Sequence, residues 1–450
     1  MLIALLLLQS ILATAQVSSQ QPKAAPTKAP LLLTLQDALA RAKQYGTQIQ
    51  SADIVARLAK EDRTQAKAAT LPSLSVMNQF IYTEGNGTPS GVFVANDGVH
   101  VYNEQATVHE ELLSFVRRGE IRVATAAQSV AKARIGIAQR GLNLIVIQDY
   151  YAIVVAQRKS ANAASSLKEA QQFLDTTKKQ EAGGEVAHAD VIKAQLQVNQ
   201  RQRDIQDAEL ALQKAKVDLG VLVLPDLSID YSVVDDLSNP AELPAFDQFS
   251  ESAANTSPEV HTAQAALKQA HLGVSVARYA YLPSLGLDFW YGINANQFAI
   301  QATGQSSGRS TQPNFLVPDR QNLGYSAAAT LSVPVWNWGS IRSKVKQAKL
   351  REEQAALDLS ASKKQSQANL TSAYNELKVA FLQIASLRSS VDLSEESLRL
   401  TLLRYQAGEA TALEVVDAET TANLARNAFA DGLARYKVAL TNMQNLTGTL

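Results

Sequence analysis

Proline placement constrains this chain more than any other feature of its sequence. Thirteen prolines are present, yet none falls between Pro89 and Pro225 and none after Pro334. Two stretches of more than a hundred residues therefore lack the strongest helix breaker, and both are rich in Ala, Leu, Gln, Lys, Glu and Arg. The segments 119–179 and 341–405 read as helices of about 60 residues, roughly 90 Å long at 1.5 Å per residue. Helices of that length need neighbours along most of their surface.

The neighbours are encoded as seams. Val191, Ala194, Val198, Arg201, Ile205, Ala208, Leu212, Ala215, Leu219 and Leu222 follow alternating three- and four-residue steps, with Arg201 the one charged member. Val415, Ala418, Ala422, Ala425, Phe429, Gly432, Tyr436 and Ala439 do the same. That period is the left-handed coiled-coil seam, and its many small members suit closely approaching helices. An elongated, dimeric coiled coil would show the same spacing.

An internal repeat argues for a more particular arrangement. Leu71-Pro72-Ser73-Leu74 recurs as Leu282-Pro283-Ser284-Leu285, each after a helical segment, 35–69 and 246–281. Gly184-Glu185 with Asp190-Val191 recurs as Gly408-Glu409 with Glu414-Val415. The chain reads as a tandem duplication of helix, LPSL, strand, loop, strand, very long helix, tight turn and long helix. The repeats are expected over 35–240 and 241–450. Their strands fall near 73–84 and 98–109, then 284–297 and 321–334; their hairpin turns fall near 181–190 and 405–414.

The strands bear on compartment. Leu285, Leu287, Phe289, Tyr291 and Ile293 alternate with Gly286, Asp288, Trp290, Gly292 and Asn294. Leu323, Tyr325, Ala327, Ala329, Leu331 and Val333 alternate with small or hydroxylated residues. Apolar-out, polar-or-small-in over about ten residues is the pattern of a transmembrane β-barrel strand; a soluble hairpin with one face on a core shares it. Asn78, Gln79 and Glu104 interrupt the first-half pair. Four strands cannot close a barrel, and an open edge is not tolerated in lipid. Membrane insertion therefore requires several copies around an axis.

The N-terminus fits export. Leu2 to Ala15 is an apolar run ending Ala13-Thr14-Ala15, expected as a signal peptide over residues 1–15. A polar, proline-bearing leader is expected over 16–34. No later segment offers eighteen uncharged apolar residues for a transmembrane helix. Lys plus Arg and Asp plus Glu both number 42, which speaks against a nucleic-acid binder. With no cysteine, disulfides, thiolate metal sites and lipidation at an N-terminal cysteine are excluded.

In this arrangement, from Leu35 to Leu450, the chain resembles the outer-membrane efflux proteins, or TolC-like channels. The resemblance is carried by the duplicated LPSL, by Pro334-Val335-Trp336-Asn337-Trp338-Gly339 at a strand-to-helix junction, by the Gly-Glu turns and by Asn445-Leu446-Thr447-Gly448. It implies a mainly α fold with transmembrane β strands. Three protomers would form a 12-stranded barrel continuing into a periplasmic α-helical tunnel, with Leu285, Leu287, Phe289, Tyr291, Leu323, Tyr325 and Leu331 facing lipid. It also implies a passive outer-membrane exit duct, working with a periplasmic adaptor and an inner-membrane pump to export small molecules or proteins.

By the same resemblance, Tyr405, Glu414 and Asp417 form the periplasmic gate. Carboxylate rings around a three-fold axis favour cations. Where well-known family members carry an arginine in the gate, this chain has Ala410. The hairpin tips are expected to dock the adaptor through Gly183, Gly184, Ala187, Ala189, Asp190, Gly408, Ala410 and Ala412. The alternative is an exported structural or adhesive coiled coil without a pore.

No enzyme is expected, and no cofactor or metal. Gly304-Gln305-Ser306-Ser307-Gly308 satisfies the hydrolase G-x-S-x-G pattern, but a polar loop follows it where that motif needs a helix. The five histidines, at 100, 109, 188, 261 and 271, show no metal-ligand spacing.

Overall fold

The computed structural model describes residues 31–83, 99–238, 242–243, 245–247, 249, 257–294 and 323–450. The expected signal peptide and the G-x-S-x-G segment lie outside the described residues. The element order is β1 (Leu31–Leu33), α1 (Leu35–Tyr45), α2 (Thr47–Ala68), β2 (Ser73–Thr83), β3 (Val99–Leu113), α3 (Phe115–Ala182), α4 (His188–Val223), β4 (Tyr231–Val233), α5 (Pro258–Tyr279), β5 (Ser284–Asn294), β6 (Leu323–Ser332), α6 (Ser340–Gln406) and α7 (Ala412–Thr447).

The helical expectation holds and is exceeded. Helices α3 and α6 run 68 and 67 residues, and each folds back into a 36-residue partner, α4 and α7. Each start has a local cause. The Ser114 hydroxyl accepts from the Arg117 N–H at the head of α3, and Gly339, at φ 80°, turns the chain into α6. Every member of the two predicted seams is buried or half-buried. Arg201 keeps its place because its guanidinium donates to Thr420 Oγ1 of α7 at 2.9 Å and to Asp204 at 3.0 Å.

Two local expectations need correction. The helix expected over 35–69 is broken at Gly46, whose extended backbone separates α1 from α2. The leader expected to reach residue 34 ends earlier, because Leu31–Leu33 pairs in parallel with β4 and Leu33 is 1% exposed. Around this two-stranded sheet lies the larger core, with Leu142, Val146, Ile147, Tyr150, Leu219, Leu377 and Met443. Tyr150 donates to the Val234 carbonyl at 2.8 Å, and Arg158 holds Asp235 through two nitrogens at 2.6 and 2.9 Å.

The second sheet has the order β2-β3-β5-β6, antiparallel throughout. Strand β3 continues beyond the expected end near 109 to Leu113, with a register irregularity between Glu110 and Leu113. Register places Leu285 opposite Leu331, Phe289 opposite Ala327 and Val108, Tyr291 opposite Tyr325 and Ala106, and Ile293 opposite Leu323. With period-two alternation, the seven residues expected to face lipid share one face of the sheet. Tyr325, Leu331, Tyr291, Leu323 and Phe289 are exposed there, and Leu285 and Leu287 are half-buried between neighbouring strands. Glu104 and Glu110 fall on that face too, opposite Ile293 and Leu287. The other face is polar, and His109 Nδ1 stands 2.6 Å from Asp288.

Strands β2 and β6 each have one neighbour, so the sheet is open at both sides among the described residues. One closure inside it is tight. Gly292, at φ 149°, lies so close to β3 that an added Cβ would overlap the Glu104 carbonyl oxygen and stand 2.8 Å from Gln105 Cα. Among the described residues no helix is long and apolar enough to cross a membrane.

Candidate functional site

The far ends of the two helical pairs carry the residues singled out in the sequence. Both tips close in the same way. In the first, the Gly184 N–H donates to Glu181 O at 2.9 Å and the Glu185 N–H to Gln180 O at 2.9 Å. In the second, Gly408 donates to Tyr405 O at 3.0 Å and Glu409 to Arg404 O at 2.8 Å. Gly184 and Gly408 both have φ 77°, which glycine adopts without a Cβ clash. Gly183 has ordinary helical geometry, so the turn does not depend on its being glycine.

The starts of the returning helices differ. Ala187 offers α4 no side-chain cap, whereas Thr411 and Glu414 form a reciprocal capping box at α7. The Thr411 N–H donates to Glu414 Oε1 at 3.1 Å, and the Glu414 N–H donates to Thr411 Oγ1 at 3.3 Å. These bonds to Thr411 hold the Glu414 carboxyl below its ordinary pKa, with Arg404 adding to the effect. Arg404 Nη1 lies 3.5 Å from Glu414, across the turn. A cation thus faces the predicted acidic gate from the preceding helix, although position 410 is alanine.

Tyr405 is 2% exposed and sits inside the chain. Its ring meets Phe173 of α3 edge-on at 5.0 Å, and its hydroxyl donates to Thr177 Oγ1 at 3.2 Å. Burial is the main reason its pKa is raised. Around it lies a second core of Ala170, Phe173, Leu174, Val191, Ala194, Val198, Ala412 and Val415. The structure therefore brings Tyr405 to a strut between α3 and α6, while Glu414 and Asp417, three residues apart, stand on the exposed face of α7.

The expected docking residues divide likewise. Gly183, Gly184, Ala187, Ala189 and Gly408 are exposed, and Asp190 and Ala410 are half-buried. Ala412 does not join them: it is 0% exposed in the tip core, because the capping turn directs it at α4. A cavity of about 650 Å³ lies between the tips, bordered by Val186, Ala187, Asp190, Lys193, Gly408, Ala410, Thr411 and Leu413.

Two charged groups close behind the tips, Glu419 and Arg426, were not singled out from sequence. Glu419 is 4% exposed, and burial pushes its carboxyl up to about 7 despite Gln197 and Arg201 beside it. Arg426 of α7 bridges Glu169 of α3 at 3.1 Å and Glu395 of α6 at 2.8 Å, tying three helices together. Arg201, a charge within a seam, was the available signal: it faces α7 where Glu419 and Thr420 lie. His109, His188 and His271 each pair with a single carboxylate, and among the described residues no three potential ligands gather around a metal-sized space.

Residues 249–449 match the family described as Outer membrane efflux protein. The chain is 25% identical over 192 residues to outer membrane protein TolC of Escherichia coli, covering 41% of this chain and 38% of TolC's length. A crystal structure of a membrane protein from Pseudomonas aeruginosa shares the fold at a TM-score of 0.74, with 18% identity over 92% of this chain and 90% of that one. The Campylobacter jejuni CmeC outer membrane channel does so at 0.73, with 17% identity over 92% and 85%. The second half of the chain thus carries the pattern of the outer-membrane efflux family, and 92% of the chain shares its fold with a solved outer-membrane channel.

Proposed function

We propose that the chain is the passive exit duct of an export system, and that it works as a homotrimer. The observation that carries this reading is the four-stranded sheet. It exposes an apolar face, ends in two unpaired edges, and joins helices that themselves expose Leu196, Leu210, Leu382, Leu393 and Leu424. In lipid each unpaired backbone group costs several kcal/mol, so the edges must pair with other copies. Three copies give twelve strands and bring twelve helices into one tunnel. Near-equal helix lengths in the two halves, 68 and 67 residues then 36 and 36, and the matching tip turns support descent from a tandem duplication, with halves 35–240 and 241–450.

The exit is closed at the tips. Glu414 and Asp417 become two rings of three carboxylates around the axis, selecting cations and opposing anions. Tyr405 acts one step back from the opening, pinning α6 to α3. Tip glycines and alanines, with the cavity between the tips, suit the side chains of a periplasmic adaptor coupled to an inner-membrane pump. The duct itself carries no catalytic chemistry in this reading, and energy comes from the pump.

The test is the mass of the detergent-extracted particle followed by planar-bilayer recording. A species near three times 48.5 kDa, slightly less after signal removal, with cation-selective conductance is the expected result. A water-soluble monomer or dimer without conductance would overturn the reading in favour of a structural coiled coil.

A further inference from the structure

The junction between β6 and α6 carries a second surface. From the sheet, exposed Leu331 and Val333 lead through Val335 to Trp336 and Trp338, which are 74% and 89% exposed. The two indoles pack edge to face at 5.6 Å. Trp338 has φ 52°, the one positive value among the described non-glycine residues. A bulky side chain in that region costs about 1–2 kcal/mol, and the ring placed at this cost is 89% exposed.

The helix that follows is charged against its own dipole. The N-terminal end of a helix favours acids and disfavours cations. Helix α6 has no acid in its first turn; its first is Glu352. Before it come Arg342, Lys344, Lys346, Lys349 and Arg351. Arg342, Lys346 and Lys349 stand four and three residues apart, so they share one stripe, and all are exposed. Among the described residues no carboxylate lies within ion-pair distance of any of them; Glu352, three residues after Lys349, stands 2.6 Å from His271 instead, and Arg117 takes Glu111 and Glu120.

An exposed indole pair continuous with an apolar sheet face, followed by an uncompensated cationic stripe about 10 Å long, matches the layering of a bilayer surface. Acyl chains meet the sheet, the carbonyl level meets the indoles, and headgroup phosphates meet the cations. We propose that Trp336 and Trp338 with Arg342, Lys346 and Lys349 form a collar that selects anionic phospholipid in the periplasm-facing leaflet. The collar rests on the reading that the sheet enters the membrane. Its partner is lipid, since charge complementarity comes together with an apolar surface that a soluble anion would leave in water.

The chain has three tryptophans, and Trp290 is the one outside the pair. Trp290→Phe therefore leaves emission reporting on the collar alone. The full-length protein is reconstituted into phosphatidylcholine vesicles containing a minor fraction of brominated phosphatidylglycerol or of brominated phosphatidylcholine. The expected result is blue-shifted emission, quenched more by bromines near the carbonyl than near the chain end. The anionic probe should quench several-fold more effectively per mole. Arg342→Gln, Lys346→Gln and Lys349→Gln together should bring that preference to about one without moving the emission maximum.

A preference that survives the triple variant overturns the anionic site. Water-like, unquenched emission from a protein that has entered the vesicles overturns the collar alone. Failure of the wild-type protein to float with vesicles of either composition overturns the barrel reading and the collar with it.

Discussion

Replacing Tyr405 by phenylalanine removes one oxygen from the strut behind the proposed gate. The ring can keep its edge-on packing against Phe173, and Thr177 keeps its own bond to the Phe173 carbonyl at 2.9 Å. The loss is thus one hydrogen bond with no buried donor stranded, about 0.5–1.5 kcal/mol. If that bond breaks when the tips separate, the open population of one protomer rises roughly two- to tenfold. Concerted opening of three protomers raises it by about the cube of that factor. Single-channel recording gives the open probability directly. A cycle of Tyr405→Phe with Thr177→Val, read by chemical unfolding of the helical part, gives the coupling in the closed state. A coupling near 1 kcal/mol with unchanged open probability would refute the argument: the bond would exist but survive opening, and Tyr405 would be core only.

Four further outcomes are expected. Asp417→Ala should raise leak conductance and lower cation selectivity while leaving thermal stability within about 0.5 kcal/mol, since the side chain is exposed; unchanged selectivity would remove it from the gate. The folded pKa of Glu419, about 7, lies above its ordinary 4.5. Its contribution to stability is therefore fully present below pH 4.5 and lost as pH rises through 7, on the order of 1–3 kcal/mol; Glu419→Gln should flatten that slope in melts from pH 4.5 to 8. Arg426→Gln leaves Glu169 and Glu395 facing each other and should destabilise the α3–α6–α7 contact by about 2 kcal/mol, seen as faster amide exchange there. Gly292→Ala should prevent β3–β5 pairing and abolish the proposed trimer in detergent extracts, with helix content by circular dichroism retained.

The parts of this protein legible in its sequence are those governed by periodicity. Proline-free runs gave the long helices, three-four steps gave their buried faces, and period-two alternation put Leu285 through Tyr291 and Leu323 through Leu331 on one side of a sheet. Contacts that depend on which helices come together were not legible. Arg404 meets Glu414 only because the turn folds α6 back onto α7. Glu419 is buried because α4 covers it, and the same cover makes Ala412 core where a surface residue was expected. The pairing of Leu31–Leu33 with a strand two hundred residues away leaves no local signature at all.

The open sheet has a consequence for how such a protein reaches its place. A lone copy exposes too much apolar surface for water and too many unpaired backbone groups for lipid, so neither phase offers it a stable resting state. In the proposed trimer, folding of the strands and association of the copies would then be one event, and its rate would fall steeply as the copies become scarce. The helical seams, which can meet in water, would set the order: copies gather along their helices first, and the membrane receives a sheet whose edges already have neighbours.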